Sequence, residues 1–210
     1  MADGITIKAN WDWAEAKALM RKLSGPKLHQ AMSVAVNDSA RQVERKAEQL
    51  VAKSLSIPAK RSKMGIWVRP YSTPSTLTAV VRGSGSIIPL KAFKAREEGD
   101  GVSATLWGRR IHHPGAFIYG GALGAHNKEL GMGGHVFTRL GPSRLPIKRA
   151  KGAAIAEAMA KDAVSGANEA YGVERLQANV LRQLTRYAST KKAASTKRNG
   201  EGKFKPKSQR

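Results

Sequence analysis

The hydrophobic period changes near Pro58 and again near Gly152, and these two changes set the order in which helices and strands can occur. From Pro26 to Ser54, the residues Leu28, Met32, Ala35, Val43, Ala47, Leu50 and Val51 recur at threes and fours, which places them on one face of an α-helix. Pro26 can open that helix, because the first turn does not use the N–H that proline lacks. At ~1.5 Å per residue the helix would reach roughly 40 Å, longer than one compact core needs. Part of it is therefore expected to pack against another subunit. A shorter helix precedes it, capped by Asn10, with Trp11, Ala14, Ala18 and Leu19 on one face before Gly25-Pro26 interrupts the pattern.

Ser56-Ile57-Pro58 ends the helical period, and after Lys60, Arg61 and Lys63 the texture becomes short β-like runs. These are Ile66-Trp67-Val68, Leu77 to Val81, Val102 to Trp107 and His135 to Thr138, separated by Gly, Pro and Ser clusters. Without helical segments between them to make crossovers, an antiparallel arrangement is expected. From Pro114 to Gly134 the chain is too rich in glycine for a helix and too long for a hairpin turn. It reads as a long loop ordered mainly by contacts with other subunits, with Phe117, Ile118 and Tyr119 either anchoring in a neighbour or packing on the core. Helical spacing returns from Ala153 to about Ala163 and from Gly172 to Tyr187, where Val173, Leu176, Val180, Leu181 and Leu184 share a face.

The expected class is α+β. N-terminal helices occupy residues 1–55, and an antiparallel β-sheet or sandwich occupies 56–152 with its Gly-rich loop at 114–134. C-terminal helices fill 153–188, and a disordered basic tail fills 189–210. All of this forms one structural domain plus the tail. The tail carries Lys191, Lys192, Lys197, Arg198, Lys203, Lys205, Lys207 and Arg210 with almost no apolar residues, so it is expected to act as an electrostatic tether to an acidic surface or DNA.

The formal net charge is +22 and the sequence pI about 10.7, which implies an anionic partner, a crowded assembly that dilutes the charge, or both. With no cysteine there is no disulfide, thiolate metal site or cysteine nucleophile, consistent with synthesis in a reducing cytoplasm. The opening MADGITIKANWDW lacks a basic segment followed by an apolar one, and no run approaches ~18 consecutive apolar residues, so neither a signal peptide nor a membrane partner is expected. His112, His113, His126 and His135 cluster in sequence, yet there is no HExxH and only Glu129 lies close by, which argues against a metal site. The same residue is the only carboxylate between Gly101 and Gly152, there is no GxSxG, and GMGG lacks the Lys-Ser/Thr of a phosphate loop. An enzyme is not expected, and no catalytic, cofactor-binding or metal-binding residue is assigned.

Basic residues from Lys60 to Lys151, among them Arg69, Arg82, Arg109, Arg110, Arg139, Arg144, Lys148 and Arg149, could form a phosphate-binding face or a solvated surface. No RNP-like interleaving of aromatics accompanies them. Trp11, Trp13, Trp67 and Trp107 are assigned by default to the core or an interface.

Four runs carry a family resemblance: IPAKRSK at Ile57 to Lys63, GVSATLWG at Gly101 to Gly108, GAFI at Gly115 to Ile118, and HVFTRLGPSRLPIKRAKG at His135 to Gly152. Their order is similar to that of the minor tail protein Z family of phages and prophages, most specifically in Val136, Phe137, Arg139, Gly141, Arg144, Leu145, Pro146 and Ile147. The resemblance covers roughly Ala31 to Ala160. It implies a virion protein of the tail or neck, made in the host cytoplasm, that completes the tail at its head-proximal end. The implied partners are its own copies in a ring with the tail's sixfold symmetry, tail terminator or tail tube proteins, head-closure or connector proteins, and the genomic DNA passing through the lumen. The family brings no catalytic residues. Arg139, Arg144, Lys148 and Arg149 are expected to dock, with Phe117 and Tyr119 as anchors; otherwise Leu145 and Ile147 plug the core while the charges face water. The competing classes are a nonspecific nucleic-acid-binding accessory protein and, less favoured, a basic ribosome-associated protein.

Overall fold

The structure, a computed structural model, describes residues 14–23, 25–119 and 133–198. In chain order the helices α1 (Ala14–Arg21), α2 (Gly25–Leu55) and α3 (Ala59–Lys63) precede ten short strands among the described residues. These are β1 (Ile66–Val68), β2 (Val81–Gly83), β3 (Ile87–Pro89), β4 (Arg96–Glu98), β5 (Gly101–Leu106), β6 (Arg109–Pro114), β7 (Ala116–Tyr119), β8 (His135–Arg139), β9 (Ile147–Arg149) and β10 (Lys151–Ala154). The helices α4 (Ile155–Ala160) and α5 (Asp162–Arg198) follow. The class is α+β, as the sequence implies.

The long helix begins beside Pro26 as expected, and its end has a specific cause. Ser56 takes the left-handed conformation at φ 59°, its N–H bonds the Lys53 carbonyl at 3.3 Å, and the Ile57 N–H bonds the Ala52 carbonyl at 3.1 Å. This is a Schellman closure, with the buried Ile57 as its apolar contact. Among the described residues the first helical turn begins at Ala14, and the expected cap and face at Asn10 and Trp11 lie outside them.

All strand pairs are antiparallel among the described residues. They form two two-stranded sheets, β1-β2 and β10-β3, and two three-stranded sheets, β4-β5-β6 and β7-β8-β9. The expected strand from Leu77 to Val81 is mostly absent. Thr73 Oγ1 lies 2.9 Å from both Ser75 Oγ and Thr76 Oγ1, the Leu77 N–H bonds the Thr73 carbonyl, and Leu77 itself is left-handed. Hydroxyls that bond locally offer the backbone an alternative to a ladder. The expected loop from Pro114 to Gly134 is also shorter, because Ala116 to Tyr119 forms β7 and pairs with β8; residues 120–132 lie outside the described residues.

Two apolar clusters result. The larger joins Val43, Val51 and Leu55 of α2 to Leu90, Phe93, Val102, Val136 and Ile155. The smaller joins Ala16 and Leu23 to Ala31 and Ala35 at the start of α2 and to Val180 and Leu184 of α5. The helix from Asp162 is much longer than the expected Gly172–Tyr187 span and reaches Arg198, inside the segment expected to be tail. It packs along α2 rather than on a sheet. Within the chain α5 covers one side of α2 along much of its length. Polar contacts seal that seam: Asn179 Nδ2 donates to Ser39 Oγ at 3.0 Å, and Gln183 and Arg182 both donate to Asp38.

Candidate functional site

The run from His135 to Arg149 folds into β8, a connecting tip and β9. Alternation along β7 sends Ala116 and Ile118 into the core and leaves Phe117 and Tyr119 half-buried on the other side. Across the ladder Phe117 faces Phe137, which faces Arg149, so these three side chains share a row. The Phe117 and Phe137 rings stack with centroids 6.2 Å apart, Tyr119 meets Phe117 edge-on at 6.3 Å, and the Arg139 guanidinium lies 5.6 Å from the Phe117 centroid. Such a cation–π contact contributes about 0.5–1 kcal/mol at an exposed position.

The basic residues expected to dock together are divided by the pleat. Arg139 and Arg149 lie on the aromatic side. Lys148 pairs with Thr138 and so belongs to the opposite side. Arg144 sits in the tip between Leu140 and Leu145, which are 63% and 67% exposed, and the Leu140 N–H closes the tip onto the Pro146 carbonyl at 3.2 Å. Leu145 is thus no core plug. Ile147 is half-buried.

Beside Arg139 lies an open groove of about 660 Å³ bordered by Glu97, Asp100, Phe117 and Pro142. Glu97 ties two sheets together, since its Oε1 accepts the Ile118 N–H at 2.8 Å. Hydrogen bonds from Ser103 and Arg110 hold the Glu98 carboxyl below its ordinary range, and His112 does the same for Asp100. His135 is lowered by burial first and then by the positive charges of Lys91 and Arg149. The groove thus mixes acid and base. Its carboxylates, Glu97 of β4 and Asp100 of the turn that follows, lie distant in sequence from Arg139 and Pro142, so no local pattern signalled them.

One arrangement has the order of a nucleophilic relay. Ser103 Oγ is 3.3 Å from His112 Nδ1, and His112 Nε2 is 2.9 Å from Asp100 Oδ1. Its burial is inverted relative to such a relay. Ser103 is 3% exposed whereas the Asp100 side chain is 82% exposed, so the hydroxyl that would have to attack is the shielded end. The three residues clamp β5 to β6 and to the turn before β5.

Among the described residues no group of three His, Asp or Glu side chains could hold a metal ion; His126 lies outside them. Among the described residues no helix is long and apolar enough to cross a membrane. Lys191, Lys192, Lys197 and Arg198 belong to the last turns of α5, while Lys203, Lys205, Lys207 and Arg210 lie outside the described residues. Trp67, assigned by default to the core or an interface, is open to solvent, and the alternation in Trp67-Val68-Arg69 places Arg69 on the same outward row. Compared with models of known families, with curated proteins and with solved structures, the chain matches none.

Proposed function

We propose that the chain is a tail-completion or neck subunit of a tailed bacteriophage, acting at the head-proximal end of the tail by self-association and docking rather than by catalysis. The observation that carries this reading is the tip between β8 and β9. The residues that carry the resemblance leave Leu140 and Leu145 uncovered on either side of Arg144, which gives a docking partner apolar surface flanking a positive charge. A mixed aromatic and basic face behind the tip supports the same reading, because Tyr, Phe and Arg side chains are typical anchors of protein interfaces.

Electron microscopy of particles assembled without this chain should show separate filled heads and tails; joined particles in normal yield would refute the assignment. Replacing both Arg144 and Arg149 by Glu should leave the subunit folded and reduce joined particles about tenfold, the loss expected for roughly 1.4 kcal/mol of contact energy. Normal yield from that variant would remove the docking role of the tip. The nucleic-acid reading is favoured by a separate surface, the outer face of β1-β2.

A further inference from the structure

The pair β1-β2 has one face in the core and one in solvent. Ile66 and Val68 are buried, as are Val81 and Gly83, while Trp67 and Arg82 face each other in register on the outer side. Trp67 is 40% exposed. The ladder continues one step further, with the Arg69 N–H bonding the Val80 carbonyl at 2.8 Å, so the exposed Arg69 follows Trp67 on the outer side. There it slips, because the Val80 N–H bonds Pro70 instead of Arg69. Beyond the slip, Ser72 is pinned to α2: its N–H bonds Asn37 Oδ1 at 2.7 Å and its carbonyl accepts the Ser33 hydroxyl at 2.9 Å. This anchor leaves Tyr71 49% exposed, with the Arg41 guanidinium 5.6 Å from its ring centroid.

Trp67 thus stands on the outer row with Arg69 and Arg82, and a second open ring, Tyr71, is held beyond the slip beside Arg41 of α2. No carboxylate shares the outward positions of this ladder. Glu44 of α2 lies beside the Val68 backbone and is not among the outer-row residues Trp67, Arg69 and Arg82. The exposed Lys60 and Lys63 of α3 continue the positive charge at the strand's start.

We propose that the outer face of β1-β2, centred on Trp67, Arg69, Tyr71 and Arg82, binds single-stranded nucleic acid, the rings stacking on unpaired bases and the guanidinium groups meeting phosphates. A polyanion suits a chain of net charge +22 and a face whose outward residues include Arg69 and Arg82. Duplex does not offer the faces of its bases, so exposed rings discriminate for single strands. This inference is independent of the tail assignment and stands on different residues.

The test uses the full chain and a fluorescein-labelled thymidine oligonucleotide of about twenty nucleotides, longer than the ~4–16 nucleotides a single site of this kind occupies. Anisotropy compares it with a duplex of equal length across a salt series. The wild-type chain should prefer the single strand. Replacing Trp67 and Tyr71 together by Ala should weaken single-strand binding at least about tenfold, given roughly 1–3 kcal/mol per stacked base, and change duplex binding less than about twofold. Trp67→Phe, which keeps a ring, should retain most of the affinity, with circular dichroism confirming that each variant is folded. Replacing Arg69 and Arg82 by Gln should weaken binding to both probes and reduce the salt slope by about 2. Equal affinity for single strand and duplex that survives removal of both rings would overturn the proposal, leaving attraction by overall charge. Failure to bind either oligonucleotide, with the double Ala variant lost from assembled particles, would overturn it in favour of a protein contact.

Discussion

At the scale of single residues, close approach and charge decide what each position tolerates. Gly152 in β10 lies against the ring of Phe93, which is fully buried, and a methyl added there would collide with that ring. Gly152→Ala should cost about 1–3 kcal/mol, the range for overpacking a filled core, and chemical denaturation should register it. An unchanged denaturation midpoint would mean that Phe93 can move aside. His135 offers a pH test. Its folded pKa lies below the ordinary 6.5, so the unfolded chain binds the proton more readily. The sign follows: this contribution to stability is present above about 6.5 and is lost as pH falls from there toward the lowered folded value. His135→Gln should therefore lose less thermal stability than wild type between neutral and mildly acidic pH, and parallel pH profiles of the two proteins would remove His135 as a contributor.

At the scale of elements, the clearest lesson comes from ends and turns. The sequence places the end of α2 correctly at Ser56-Ile57-Pro58, but the reversal rests on a left-handed Ser56 where glycine is usual. Ser56→Gly should match or exceed wild-type stability, whereas Ser56→Val should fall about 1–2 kcal/mol below the glycine variant, because a branched Cβ resists this conformation. Thermal melts of the three proteins would decide it, and equal melting of the two variants would show that the turn is not strained. Strands were legible where buried β-branched or aromatic residues punctuate the run, as in β1, β5 and β8. They were illegible in β6, whose RRIHHP is exposed along almost its whole length and so has no apolar alternation. Its existence depends on the two-residue turn at Trp107 and Gly108, both at positive φ, which returns the chain onto β5.

At the scale of the whole molecule, α2 links two apolar clusters of unequal strength. The smaller relies on Ala16, Ala31 and Ala35 with only a few larger side chains, so it buries less apolar area per residue than the cluster around Phe93 and Leu55. Amides at the start of α2 and facing α5 should exchange with solvent through partial openings well before those of β5 and β8. Uniform protection along α2 in native-state hydrogen exchange would show a single cooperative unit instead. The sequence by itself determined the α+β order, the long helix, its end and the excess of positive charge, because periodicity, proline and net charge are local or additive properties. Tertiary structure alone decided that α5 covers α2, that Phe117, Phe137 and Arg149 form one row while Lys148 turns away, and that Trp67 and Arg82 stand together in solvent. Each of these depends on strand register or helix pairing between residues far apart in the chain, and a one-residue change of register would reverse every face.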